Sequence, residues 1–312
     1  MALALSLTVE EQEAAERLVS LALVEDLRTL GDITSRALIG DARQGTVDIV
    51  MRQEGVVAGL PVAAIVVRQL DGQTTIQQLA SDGDKVHGGT TIAQVHGSWR
   101  SLLAAERTVL NFLMHLSGVA TRTRQFVDRV VGSKAVILDT RKTLPGWRLL
   151  EKYAVRAGGG TNHRIGLFDG CLIKDNHLAA WREDHPRDSD EETIRGAVAA
   201  TRSAIPAGIP LEIEVDTLDQ LKAALGAAAD IVLLDNMDAA AIGQAVQIRD
   251  ELAPQVLLEA SGGVNLETVG AIAATGVDRI SVGSITHSAP ALDIAFDWHG
   301  ATGVPRAQTQ SH

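Results

Sequence analysis

Six short runs of β-branched and aliphatic residues constrain this chain most, at 135–138, 172–173, 211–215, 231–234, 256–258 and 279–282. Helical segments separate them, and from the third run on they recur about every 20 to 25 residues, the period of tightly connected β/α units in a parallel sheet. Such a series can close as a barrel or stay open and doubly wound. The run ends favour a barrel. They carry Asp139, Arg141 and Lys142; Lys174, Asp175, Asn176 and His177; Glu214 and Asp216; Asp235 and Asn236; Ser261, Gly262 and Gly263; and Gly283 and Ser284. Parallel β/α units put all of these C-terminal ends on one face, which in barrels carries the active site.

The residues before the first run read differently. Thr8 with Glu11 forms a capping-box start, and Ala15, Leu18, Leu21 and Ala22 follow at helical spacing, so a helix is expected to about Leu27. Val47, Ile49 and Met51 alternate as a half-buried strand does. A helix is expected over 61–70, with Pro61 in its first turn, and strands over 75–79 and 91–95. Ser81, Asp82, Gly83 and Asp84 divide those strands with a turn. This part is expected to be an α+β sandwich with antiparallel strands. A long helix starts near Arg100 and carries Glu106, Arg107 and Asn111, with Gly118 expected to interrupt or bend it.

Of the 312 residues 46% are hydrophobic, ample for a full core. A net charge of -11 argues against a general nucleic-acid or anionic-membrane surface, and four scattered tryptophans offer no stacking platform. An anionic substrate would need a local cluster of cations, and the strand ends supply one: Arg141, Lys142 and Lys174 beside Glu214 and Asp235. Cys171 is the single cysteine, so no internal disulfide can form, and a reducing compartment fits. Cys171, His115 and His177 lack zinc-site spacing, and no structural zinc is expected. The longest apolar stretch, 56–67, contains Gly59 and Pro61 and falls short of the roughly 20 residues of a membrane span. With no basic region at the start, a secretory signal is not expected and the expected location is cytoplasmic; the tail 300–312 is expected to fray.

At these residues the chain resembles the quinolinate phosphoribosyltransferase family, also called nicotinate-nucleotide pyrophosphorylase. The matching residues are Glu25 and Asp26 with Gly31, Asp32 and Thr34; Glu106, Arg107, Thr108 and Asn111; Thr140 to Thr143 with Pro145 and Gly146; and Asn162 to Arg164 with Gly166. Lys174 to His177, Glu212 to Asp216, Leu234 to Asn236, Ser261 to Gly263 and Ser281 to Gly283 follow, with Thr286 to Ser288. In family order, they run from about residue 25 to 290. The implied fold is α/β: an N-terminal sandwich over 1–116, an incomplete, TIM-like α/β barrel over 117–285, and a segment from 286 that can pack back on the first domain.

The resemblance implies phosphoribosyl transfer from phosphoribosyl pyrophosphate to quinolinate with loss of CO2. Planar carboxylates suit the bidentate guanidinium group, and the family role falls to Arg141 and Arg164, with His163, Lys174 and Thr140 close by. Lys142 and Lys174 are candidates for the pyrophosphate and ring carboxylates. Glu214 and Asp235 resemble the carboxylates that hold the ribose hydroxyls and Mg²⁺, directly or indirectly; Thr217 and Asp238 are better placed to cap the following helices. Ser261, Gly262, Gly263, Val282, Gly283 and Ser284 resemble a phosphate cradle, which His287 could assist. The stretch Gly158 to Gly160 is expected to be a flexible loop positioning Asn162 to Arg164, and Asp32 and Thr34 to fix a turn. Arg107 resembles an arginine that reaches a neighbouring subunit's site, which implies a homodimer, alone or within a larger homo-oligomer. Rival readings are a nicotinate-using or molybdenum-transport-associated relative, a Schiff-base aldolase built on Lys174 or Lys142, and a non-catalytic metabolite-binding protein.

Overall fold

A computed structural model of the chain describes residues 5–299. The tail expected to fray, 300–312, lies outside them. Helix α1 (Val9–Leu27) opens with the expected capping box: Glu11 N–H donates to Thr8 Oγ1, and Thr8 N–H donates back to the Glu11 carboxylate. Residues 32–34, expected as a turn, instead start a helix, α2 (Ile33–Leu38), because the Asp32 carboxylate accepts the Ser35 N–H at 3.0 Å. Strands β1 (Gln44–Met51) and β2 (Gly55–Val56) lead into α3 (Leu60–Leu70), and β3 (Thr75–Gln78), β4 (Lys85–Val86) and β5 (Thr91–Ser98) follow. Helix α4 (Trp99–Arg129) is continuous through Gly118. That glycine is there for packing: a Cβ on it would lie 2.2 Å from the Pro290 carbonyl oxygen.

Then β/α units begin: β6 (Val136–Leu138), α5 (Arg148–Ala157), β7 (Cys171–Ile173), α6 (Asp175–Asp184), α7 (Asp190–Ala204) and β8 (Leu211–Val215). They continue through α8 (Leu218–Gly226), β9 (Ile231–Asp235), α9 (Ala239–Leu252), β10 (Leu257–Ser261), α10 (Val269–Ala274), β11 (Arg279–Ser281) and the short α11 (Ser284–His287). Thr217 and Asp238 cap α8 and α9 by accepting the Gln220 and Ala241 N–H groups, which leaves Glu214 and Asp235 for other work. A last strand, β12 (Ile294–Trp298), ends the described chain.

The described residues form two compact units, 5–118 with 290–299, and 119–289. In the first, an antiparallel sheet of order β12-β1-β5-β3 packs against α3, which packs on α1. In the second, six parallel strands run in the order β6-β11-β10-β9-β8-β7. Among the described residues no ladder joins β6 to β7, so the barrel has a seam. A bridge from Leu138 to Thr161 extends the β6 side of it. Leu211, Ile213 and Val215 are buried towards the helices, which turns Glu212 and Glu214 inward. Gly158 and Gly160 are closely packed, which corrects the expectation of a flexible loop: a Cβ on either would collide with α4 at Thr123, and on Gly158 also with the Ala120 carbonyl.

Candidate active site

Parallel register puts inward side chains of neighbouring strands side by side. Glu214 pairs with Leu233, Leu233 with Glu259, Glu259 with Arg279, and one layer higher Asp235 pairs with Ser261. Over the C-terminal ends of these strands lies a cavity of about 640 Å³. Thr140, Arg141, Lys142, His163, Arg164, Lys174, Glu214, Asp235, Ser261, Gly262 and Gly263 all line it. With Ser281 at the end of β11 also in the lining, groups from all six strand ends and from the segment after α5 converge. Val282 is buried and donates its N–H to the Leu138 carbonyl. Gly283 packs against Lys142 and His287, while Thr286 Oγ1 donates to the Lys142 carbonyl at 2.7 Å. Gly283 therefore adjoins Lys142, and Val282, Gly283, Ser284 and His287 do not line the cavity. Arg107 is exposed on α4 in the first unit and does not line it either.

Within the cavity Lys174 Nζ lies 2.5 Å from Glu214. Burial first, then the charges of Glu214 and Asp216, push the Asp235 carboxyl above its ordinary value. Two hard carboxylates on adjacent strands, one resisting ionisation beside the other, suit a small divalent cation with oxygen ligands. In the same cavity burial and the Arg141 charge hold the Arg164 pKa below its ordinary value. An anion between those guanidinium groups would relieve both. Gly262 must be glycine, with φ at +89° and the Asn236 side chain 2.2 Å from where its Cβ would be.

Two carboxylates outside the expected set complete the floor. Glu259 lines the cavity and accepts from Arg279 Nε at 2.7 Å and Ser281 Oγ at 2.5 Å. His163 Nε2 lies 3.1 Å from Glu212 and 3.4 Å from Glu259. These three could geometrically hold a metal ion, but His163 Nδ1 accepts the Arg164 N–H at 2.7 Å. In a neutral ring that puts the proton on Nε2, making it a donor to the carboxylates rather than a ligand. Below them lies a larger cavity of about 720 Å³ at the N-terminal strand ends, walled by Pro210, Ala228, Ala229, Ile231 and Leu257 and sharing His163 and Arg164. The smaller cavity is the better candidate, because the lysines and the Glu214–Asp235 pair face it alone and it sits at the catalytic end of the barrel.

Fold and site together define a β/α-barrel protein whose mouth gathers four cationic side chains and a pair of carboxylates. Comparison with known proteins narrows this. Residues 32–117 match the N-terminal domain model of quinolinate phosphoribosyl transferase, and residues 119–297 match its C-terminal domain model. A nicotinate-nucleotide pyrophosphorylase [carboxylating] from Mycobacterium leprae is 46% identical over 92% of this chain and 98% of its own. A probable enzyme of the same name from Bacillus subtilis is 39% identical over 90% and 92%. The solved nicotinate-nucleotide pyrophosphorylase from Francisella tularensis superposes with a TM-score of 0.83 at 42% identity, covering 92% of this chain and 96% of that one. The chain belongs to the quinolinate phosphoribosyl transferase family. Among its described residues no helix is long and apolar enough to cross a membrane.

Proposed function

We propose that this chain transfers a phosphoribosyl group from phosphoribosyl pyrophosphate to quinolinate, giving nicotinate mononucleotide, pyrophosphate and CO2. The observation that carries this reading is the convergence of Arg141, Lys142, Arg164 and Lys174 with Glu214 and Asp235 around one barrel mouth in a member of this family. Four cations match the charge of a dicarboxylate ring plus a pyrophosphate better than that of a monocarboxylate.

The chemistry assigns the roles. The C1–O bond of the ribose loosens through an oxocarbenium-like state, so positive charge grows on the sugar as negative charge grows on the leaving group. Glu214 and Asp235 stabilise the sugar and hold its hydroxyls, while Lys142 meets the departing pyrophosphate. The pyridine nitrogen bonds to C1, and the resulting pyridinium accepts the electron pair of the C–C bond when the adjacent carboxylate leaves as CO2. A proton then replaces it on that carbon. Arg141 and Arg164, supported by His163, Lys174 and Thr140, hold the ring carboxylates in bidentate geometry. Glu214 and Asp235 would hold Mg²⁺, which neutralises pyrophosphate charge. Backbone N–H groups of Ser261, Gly262 and Gly263, with Val282, Gly283 and Ser284 alongside, would cradle the 5-phosphate, with His287 beside them. Arg107 would complete the site of a second subunit in a homodimer.

Pyrophosphate release should require quinolinate, phosphoribosyl pyrophosphate and Mg²⁺ together, and excess chelator should abolish it. Equal turnover of nicotinate would overturn the dicarboxylate assignment.

A further inference from the structure

The reaction leaves one buried charged pair unused. Lys152 on α5 and Asp139, directly after β6, are both fully buried and face each other at 2.5 Å. Neither lines the cavity. Their remaining hydrogen bonds converge on a single residue: His163 N–H donates to Asp139 Oδ1 at 2.8 Å, and Lys152 Nζ donates to the His163 carbonyl at 3.1 Å. Both backbone polar groups of His163 are therefore gripped by the two halves of one ion pair. Asn162 tightens the grip, donating from Nδ2 to Asp139 Oδ2 at 2.7 Å and to the Lys152 carbonyl at 2.9 Å. Arg156 in turn donates to Asn162 Oδ1 at 3.1 Å.

Stability alone is a poor reason for such a pair. Burial pushes the Asp139 carboxyl up and the Lys152 ammonium down, so removing each ion from water opposes the charge that the other sustains. An apolar pair of equal volume is often as stabilising. What an apolar pair cannot do is hold an irregular backbone segment beside an open seam in one place. Asp139 also immediately precedes Thr140, Arg141 and Lys142, so it ties the segment carrying one guanidinium to the segment carrying the other.

We propose that Lys152 and Asp139 are positioning residues that fix the 162–164 segment and thereby set the spacing of Arg141 and Arg164 for a planar dicarboxylate. This rests on the functional reading above. Acting through the 162–164 backbone, the pair affects recognition of the pyridine ring, while Lys142 at the pyrophosphate end has an anchor of its own in the Thr286 hydroxyl that donates to its carbonyl.

The test uses Lys152→Met and the milder Asn162→Ala in the full chain. In each, KM for quinolinate should rise about 10- to 100-fold, since misplacement of a binding group by about 1 Å costs that much, while KM for phosphoribosyl pyrophosphate stays within about twofold. Amide hydrogen exchange should quicken in peptides covering 161–165 and stay unchanged in β8 to β10. A parallel rise in both KM values, or exchange quickening across the whole barrel, overturns the proposal. Should the wild-type protein release no pyrophosphate with quinolinate, the functional reading falls separately, and the exchange measurement still decides whether the clamp exists.

Discussion

At His163 burial and charge pull in opposite directions. Burial disfavours a charged ring, but hydrogen bonds to Glu212 and Glu259, together with their charges, outweigh it and raise the pKa to about 9. A proton on Nδ1 would end the hydrogen bond that this atom accepts from the Arg164 N–H, so the charged ring and that bond exclude each other. With the His163 pKa raised, the folded chain binds more protons than the unfolded chain does between the ring's ordinary 6.5 and about 9. The resulting stabilisation is thus fully present below 6.5 and lost as pH rises through about 9. At 1.36 kcal/mol per pKa unit the effect is about 3 kcal/mol. Urea midpoints measured between about pH 6 and about pH 10 should fall for the wild type and stay nearly level for His163→Gln; a level wild-type profile contradicts this coupling. The sequence alone makes His163 and Arg164 legible through the motif around them. Glu259 has a weaker signal, a carboxylate inside an otherwise apolar run, which is costly unless partnered. Lys152 has none, because its partner Asp139 is 13 residues away and only the folded path of α5 brings the two together.

Elements were most legible where one periodicity ruled. All six β/α strands fall on their runs, because inward and outward faces alternate and the outward face is continuously apolar. Gly118 misleads because a glycine in a helical pattern signals a break on local propensity alone, whereas the constraint here is the Pro290 carbonyl, 172 residues further on in the sequence. The sign of a substitution follows. In an isolated helix Gly118→Ala would add about 1 kcal/mol of stability. Here the methyl group meets a backbone oxygen that cannot rotate away, so a loss of about 1 to 3 kcal/mol is expected. A lowered urea midpoint with an unchanged m-value is the expected result; a raised midpoint would mean that α4 and the 290 segment separate easily. Asp32 was opaque for a related reason, since an Asp before a β-branched residue starts a turn and a short helix equally well.

For the whole molecule, the cavity residues all come from the second unit while Arg107 belongs to the first. If Arg107 serves a neighbouring subunit, Arg107→Ala and Lys142→Ala proteins should each be inactive yet complement each other. Random remixing makes half the dimers mixed, and one of the two sites in each is intact, so about one-quarter of wild-type pyrophosphate release should return. Mixed dimers confirmed by native mass spectrometry without that recovery would assign Arg107 to its own subunit. The resemblance implies an incomplete barrel and a segment from 286 that can pack back on the first domain, but the register of β12 against β1 and the position of the seam between β6 and β7 are not legible in the sequence, since both depend on which edges are left without a partner.

That seam has a mechanical consequence. Strands β6 and β7 are three residues each, and among the described residues a ladder joins each of them to a neighbour on one side only, β6 adding the single bridge to Thr161. Every other strand of the barrel would have to give up two ladders to move; these edges give up one. Thermal widening of the barrel should therefore begin between them, as a split ring springs at its cut, and the His163 segment lies across that cut.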